Sequence, residues 1–509
     1  MTASTDPPGD PSLDVEEPPP LAAGDGDKKV CCSWCGLYSG VPEAKGYAWN
    51  TSARGAIIMS NIFLSVAFVR LASEAAGCTV EADGTLLPCD ERIYGFKPSS
   101  LITNIATLAG IISAFCIPII GAIIDFTPHR RLVGIASATL LTAVQAIQIG
   151  TGARTWFPMA VLQAINSFLY LVQAMATYAY LPTVSISKGV SEQRMTKFNT
   201  SFTMIQFGCQ LLYVLLIAAL QIGLGLGEIR TAVLSQAVNV GWITVGFVLG
   251  WRLMGPVPAL HDRPGQGTCL LVSLGFGQIW KTAVEINRTY GTSLRWFFLS
   301  LCFAEAAANA FTVVAVTFMA DQLEMSGTQI SIVFVVVLLS TLPGSVVGYW
   351  ITLRTDPILA WKLNFAAFSI SVIAGGLILT GPQRQDIVYA FGVVWGLLLG
   401  WYYPCVQTIF SLAIPIGQES ELAGFVVYCR TILVWLPPLT FTALSESGIG
   451  MEYALMSLAI FFAVALGLLQ LMVPWEETLA LVAGGRKLRL YDAESEHIAP
   501  TPRQEDDPI

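Results

Sequence analysis

Apolar residues along this chain come in long unbroken runs, not in the alternation of a half-buried strand or on a single face of a surface helix. A membrane-crossing helix needs about 20 mostly apolar residues. Runs of that order fall at 53–73, 100–124, 132–150, 156–180, 198–222 and 232–251, and again at 294–320, 329–350, 358–380, 388–412, 423–444 and 454–473. Short polar connections join them, except for the stretch 252–293. Six runs, a long central loop and six more predict an all-α membrane protein of about 12 transmembrane helices. The expected domains are two six-helix bundles at 46–251 and 294–473, with a cytosolic linker at 252–293 between them. Within the linker, Leu270 to Val284 is apolar with Trp280 and Lys281, a pattern suited to an interfacial helix.

Composition supports the same reading. Hydrophobic residues make up 54% of the 509 and charged ones only 12%, where a soluble domain carries roughly 25% charge. Mean hydropathy is +0.63. So few charges cannot cover a surface in water, and the solvent they imply is lipid. The formal charge of −8 comes largely from the tails and the loop after the first run, and nothing points to nucleic acid. The tails, 1–45 and 474–509, are rich in proline, glycine and acid and are expected to be disordered. No basic segment leads straight into a short apolar run near the N-terminus, so no cleavable signal peptide is expected.

Basic residues alternate with the spans. With the N-terminus in the cytosol, 20 of the 27 fall on the cytosolic side, Arg54 among them, and five on the other. That asymmetry predicts both termini in the cytosol. Arg70, near the outer end of the first span, is expected to snorkel to the rim. Cys78 and Cys89 flank an outer loop and are disulfide candidates. The Cys31, Cys32 and Cys35 cluster is a weak zinc signal, and juxtamembrane acylation is an equal reading.

Polar side chains at bilayer depth are costly and usually face a bundle interior or a wet cavity. In the fourth span Gln163, Asn166, Tyr170, Gln173, Thr177 and Tyr180 share one helical face, and in the fifth Asn199, Thr203, Gln206, Gln210 and Tyr213 do the same. Asn61 and Asn104 add to spans one and two. These stripes predict a hydrated pathway; hydrogen bonding between helices is the competing reading. Glu305 lies near the centre of span seven, with Asn309 and Thr312 on its face, and Arg430 lies in span eleven. Glu305 could carry a proton, bind a substrate ammonium group, pair with Arg430 or stay protonated; Arg430 could grip a carboxylate through two hydrogen bonds.

Enzyme signatures are missing. His129, His261 and His497 all fall in loops or tails, and no G-x-x-x-x-G-K-S/T loop occurs, which argues against an ATP-driven pump. No cofactor or metal is expected. The expected partners are the lipid bilayer, a small polar solute and protons, with the chain a monomer.

Gly121, Asp125, Arg130 and Arg131, between spans two and three, resemble the G-x-x-x-D-R/K-x-G-R-R/K loop of the major facilitator superfamily, where an acid and a basic cluster latch one conformation. Phe126 and Pro128 depart from that pattern, and the matching loop of the second half keeps Gly348 and Arg354 but has Thr352 in place of the acid. A narrower resemblance covers most of the spans. Glu43, Gly46 and Tyr47 are similar to the E-x-x-G-W/Y entrance of the autophagy-related vacuole effluxer family. Pro415, Gly417 and Glu419 resemble its I-P-x-G-x-E loop, and Gly424, Trp435 and Pro438 its G…W-L-G-P pattern, with Pro437 replacing a glycine. The resemblance implies two six-helix halves around a central cavity, and alternating-access export of small solutes, amino acids foremost, from a vacuolar or lysosome-like compartment. Other solutes (sugar, nucleoside, organic acid) at another membrane, and a non-transporting scaffold or sensor, are the alternatives.

Overall fold

A computed structural model describes residues 41–78, 91–180, 192–257, 259, 268–413 and 419–481. Helices follow one another throughout: α1 (Pro42–Ala76), α2 (Leu101–Phe126), α3 (Arg130–Gln148), α4 (Trp156–Tyr178), α5 (Glu192–Leu224), α6 (Glu228–Leu253), α7 (Thr268–Thr289), α8 (Leu294–Asp321), α9 (Gly327–Arg354), α10 (Pro357–Ile378), α11 (Gln385–Ala413), α12 (Glu419–Thr431), α13 (Leu436–Glu446) and α14 (Met451–Gln470). Among the described residues no strand occurs, and 12 spans are long and apolar enough to cross a bilayer, α12 and α13 contributing to a single one. Local chemistry sets several starts. Proline occupies the first turn of α1 and α10, where a missing N–H costs nothing. Ser326 and Gln329 form a reciprocal capping box on α9, and the Asp356 carboxylate accepts from Leu359 N at 2.7 Å to cap α10.

Two six-helix halves result. In the first, α1 packs along α6 and against α5, while α4 packs on α2 and α3. In the second, α9 packs along α11, and α14 lies against α8 and α10. The halves meet where α5 crosses α9 and α11, and where α2 crosses α8, α12 and α13. The α9–α11 seam is close enough that backbones touch. A Cβ on Gly400 would strike the Thr341 carbonyl, and one on Gly344 the Leu397 carbonyl. Small residues at one-turn spacing permit such approach where hydrophobic driving force between helices is absent. The second half is otherwise filled with rings. Trp361 stacks near Phe297, Phe365 and Tyr402, and Phe368 stacks on Phe462 at 4.7 Å.

Outward faces carry exposed Phe115, Ile222, Ile370 and Leu377, which is what a lipid-facing surface requires. On α7, Val272, Phe276, Trp280 and Val284 are exposed one turn apart along a single face. The first span begins earlier than hydropathy suggests, at Pro42. Arg54, counted above with the cytosolic basic residues, is therefore well inside a helix and buried, and this corrects that assignment.

Candidate functional site

A carboxyl and a guanidinium side chain meet at the centre of the second half. Glu305, on α8, is 3% exposed, and its Oε1 lies 3.5 Å from Nε of Arg430, on α12. Asn309, one turn along α8, donates to the Glu305 carbonyl at 2.8 Å and to Oε2 at 3.3 Å. Tyr402 and Tyr403 of α11 are electrostatic neighbours of the pair. Of Glu305's sequence-derived readings, the structure shows the partnership with Arg430. The helix carrying Arg430 stops one residue later: α12 ends at Thr431, a turn runs through 432–435, and α13 resumes at Leu436 with Pro437 and Pro438 in its first turn. Prolines cannot continue the hydrogen-bond ladder, so the Trp-Leu-Pro-Pro segment makes the eleventh span discontinuous beside its charge. Gly110 of α2 admits this turn, since a Cβ there would lie 2.8 Å from Trp435 N.

The first half places a second guanidinium nearby. Arg54 of α1 is 1% exposed. Its Nη2 donates to Thr51 Oγ1 at 3.0 Å, and the rings of Tyr47 and Tyr178 lie 5.7 and 5.2 Å from its Cζ. Tyr170 is an electrostatic neighbour of Arg54, and Tyr178 of Arg54 and Arg430 alike. Arg54 and Tyr178 lie outside the expected site, and Tyr47 enters the expectation only through the family's entrance motif. The available signal is Glu43, Gly46 and Tyr47 reading as a helix start, which sets Arg54 three turns inside the first helix.

Most of the polar stripe on α4 is engaged in hydrogen bonds to neighbouring helices. Gln145 of α3 donates through Nε2 to Asn61 at 3.1 Å and to Asn166 at 2.9 Å, and accepts from Asn239 at 3.0 Å. Asn166 also donates to Asn61 at 3.2 Å, Gln148 to Gln163 at 2.9 Å, and Gln173 to Asn50 at 2.9 Å. These buried amides tie α1, α3, α4 and α6 of one half together. Gln163, Asn166 and Gln173 thus sit in helix–helix contacts, the competing reading above, while Tyr170 and Tyr178 of the same helix face the charged cluster. On α5, Gln206 is half-buried and Gln210 buried; Gln206 lends its carbonyl to the α1 crossing at Gly55. Asn104 is half-buried on α2.

Both ends of the seam between the halves carry polar contacts. At one, Asp125 of α2 faces α12, where a Cβ on Gly424 would lie 3.6 Å from its carboxylate, and both border a cleft with Gly121, Met175 and Tyr428. Arg130 donates to the Ala179 carbonyl at 2.9 Å and Arg131 to that of Trp251 at 3.1 Å, within the first half. Tyr180 donates to the Gly255 carbonyl at 2.9 Å, and burial pushes its phenol above the ordinary range. At the other end, Glu228 accepts from Gly327 N at 2.6 Å, and Glu446 accepts from Lys97 N at 2.8 Å and Ser100 Oγ at 2.7 Å. Arg70 bonds to Glu74 at 3.1 Å and Glu228 at 3.2 Å. It is part of this clasp.

Among the motif residues, Gly46 lets α1 touch α6, since a Cβ would meet the Gly250 carbonyl at 2.8 Å. Glu43 is half-buried one turn earlier, and Pro438 is buried. Pro415, Gly417 and the Glu419 side chain lie outside the described residues. Cys78 is disulfide-bonded; Cys89 lies outside the described residues, as does the Cys31, Cys32 and Cys35 cluster.

Known proteins place the architecture. The family described as "Vacuole effluxer Atg22 like" matches residues 43–479. Autophagy-related protein 22 of Botryotinia fuckeliana (strain B05.10) is 24% identical over 210 residues, 34% of this chain and 33% of that protein. Autophagy-related protein 22-1 of Sclerotinia sclerotiorum (strain ATCC 18683 / 1980 / Ss-1) matches to the same extent, 24% over 210 residues. The chain thus spans about a third of the length of these curated relatives, at 33%. Among solved structures, the nucleoside transporter NupG superposes with a TM-score of 0.54 at 10% identity, covering 85% of this chain and 100% of that one. The human organic anion transporter MFSD10 gives 0.53 at 13% identity, covering 84% and 98%. A bacterial homologue of the iron transporter ferroportin, in an outward-facing state, gives 0.54 at 13%, also covering 84% and 98%. These likenesses carry the fold. With 12 helices long and apolar enough to cross a membrane among the described residues, the chain belongs to the vacuole effluxer Atg22-like family.

Proposed function

We propose that this transporter moves small zwitterionic solutes, amino acids foremost, out of a vacuole-like compartment by alternating access. In this reading the bundles 46–251 and 294–473 rock as units about the central cluster, and the chain works as a monomer with both termini in the cytosol. The observation that carries it is the Glu305–Arg430 pair beside the break between α12 and α13. A carboxylate and a guanidinium side by side match a solute bearing both charges, and a discontinuous membrane helix is where such sites form. Glu305 either receives the solute's ammonium group or carries a proton; Asn309 orients it. Asp125 at one end, beside a turn that Arg130 and Arg131 anchor to the first half, and Glu228 with Glu446 at the other, hold the seam shut alternately. The exposed apolar face of α7 rests on the cytosolic membrane surface, so the linker 252–293 couples the halves without crossing the bilayer.

Proteoliposomes holding the full chain supply the test. Labelled neutral amino acids should exchange across the bilayer, faster with an imposed pH gradient, and unlabelled amino acids should compete. Equal competition by sugars and nucleosides would overturn the reading.

A further inference from the structure

The central cluster holds two guanidiniums and one carboxylate, and the carboxylate is taken. Glu305 pairs with Arg430, which leaves Arg54. Arg54 is more deeply buried than Arg430, and among the described residues no carboxylate bonds to it. One of its three nitrogens, Nη1, has no acceptor at all. Removing a guanidinium from water without a counter-charge is highly unfavourable, and folds normally supply an acid or water. Here the surroundings are the rings of Tyr47 and Tyr178 and two neutral hydroxyl partners, those of Thr51 and Tyr47. Ring faces stabilise a cation partially but accept no N–H hydrogen bond in the guanidinium plane. A site with a planar donor fork, aromatic walls and a missing counter-ion is complementary to a planar anion.

We propose that Arg54 is the receptor for the carboxylate of the transported solute, and that Tyr47 and Tyr178 form the walls of that subsite. The proposal rests on the central cluster being the transport site and narrows its substrate class. Tyr178, an electrostatic neighbour of both guanidiniums, links this subsite to the Glu305–Arg430 pair, so a carboxylate on Arg54 leaves a solute's ammonium group free to reach Glu305. Because one positive charge is left over, the site accepts anionic and zwitterionic solutes and excludes cationic ones. Dicarboxylic amino acids and simple monocarboxylates bind; diamino acids and amino-acid amides do not.

Thermal unfolding of the purified full chain in detergent reads binding without requiring transport. The wild type is melted with a neutral amino acid, its carboxamide, a dicarboxylic amino acid, a diamino acid, propionate and chloride. Carboxylates should stabilise it, with the carboxamide weaker by roughly tenfold or more in apparent Kd. Arg54→Gln should abolish that difference, and Arg54→Lys should keep it with affinity reduced roughly tenfold, because an ammonium cannot present the fork. Equal stabilisation by carboxylate and carboxamide in the wild type overturns the proposal even where neither variant folds. Stabilisation by chloride alone also overturns it and assigns Arg54 an inorganic counter-ion. Carboxylate binding without amino-acid flux in proteoliposomes would instead uphold this subsite and overturn the proposed function.

Discussion

The two halves share an architecture but are held together by different chemistry. The first binds its helices with amides: Gln145 alone bridges Asn61, Asn166 and Asn239. The second uses glycines that let α9 and α11 touch, together with a continuous set of rings around Trp361 and Phe365. Their cations differ as well. Arg430, among the aromatics, has a carboxylate beside it; Arg54, among the amides and tyrosines, has none. A polar residue inside a membrane bundle is therefore informative only once its partners are known. Many of the amides bond to one another, whereas Arg54 is a buried cation with no carboxylate bonded to it among the described residues.

Substitutions can break or sharpen that contrast. The largest effect is expected for Gly400→Leu, whose side chain must displace the Thr341 backbone. A loss of about 3 kcal/mol or more should appear as a collapse of monodisperse protein on size exclusion; normal yield would show that the second half does not depend on close backbone contact. Next comes Glu305→Gln, which strands Arg430; breaking a buried pair costs about 3–5 kcal/mol. Uptake should fall and lose its response to pH if the carboxylate carries the proton. An unchanged pH profile would retire that role and leave substrate binding. In the first half, Asn166→Leu removes an amide that bonds to three neighbours, Gln145, Asn61 and Gln163, at roughly 0.6 kcal/mol per bond. Melting should shift slightly while solute selectivity stays constant; altered selectivity at unchanged stability would return α4's amides to the pathway. The smallest effect belongs to Glu446→Gln, worth about 1 kcal/mol of hydrogen bonding across the seam. Cysteine accessibility at that end should rise modestly, and no change would remove Glu446 from the clasp.

Particular residues show what could be read without coordinates. Hydrocarbon-length runs located the spans, because a helix in lipid must satisfy its own backbone and therefore be continuous and apolar. The Gly46 and Trp435 patterns led to the family because each marks a place where backbones come within van der Waals contact, at Gly250 and Gly110. Glu305 and Arg430 were visible as rare intramembrane charges. Arg54 was not, because it stands second in the run 53–73 and so reads as a charge at the cytosolic edge of the span. The stripe on α4 was real as periodicity, yet period reveals only that residues share a face.

Sequence alone thus determined the solvent, the number of spans, the fold class and the family, all of which follow from local content: length, apolarity and short motifs. Which polar groups satisfy each other was decided by the tertiary structure alone. Partners such as Arg54 with Tyr178, Glu305 with Arg430, or Glu228 with Gly327 stand far apart in the chain. Hydrogen bonding and charge pairing act over a few ångströms, and only the packing of one helix against another brings these groups within that reach.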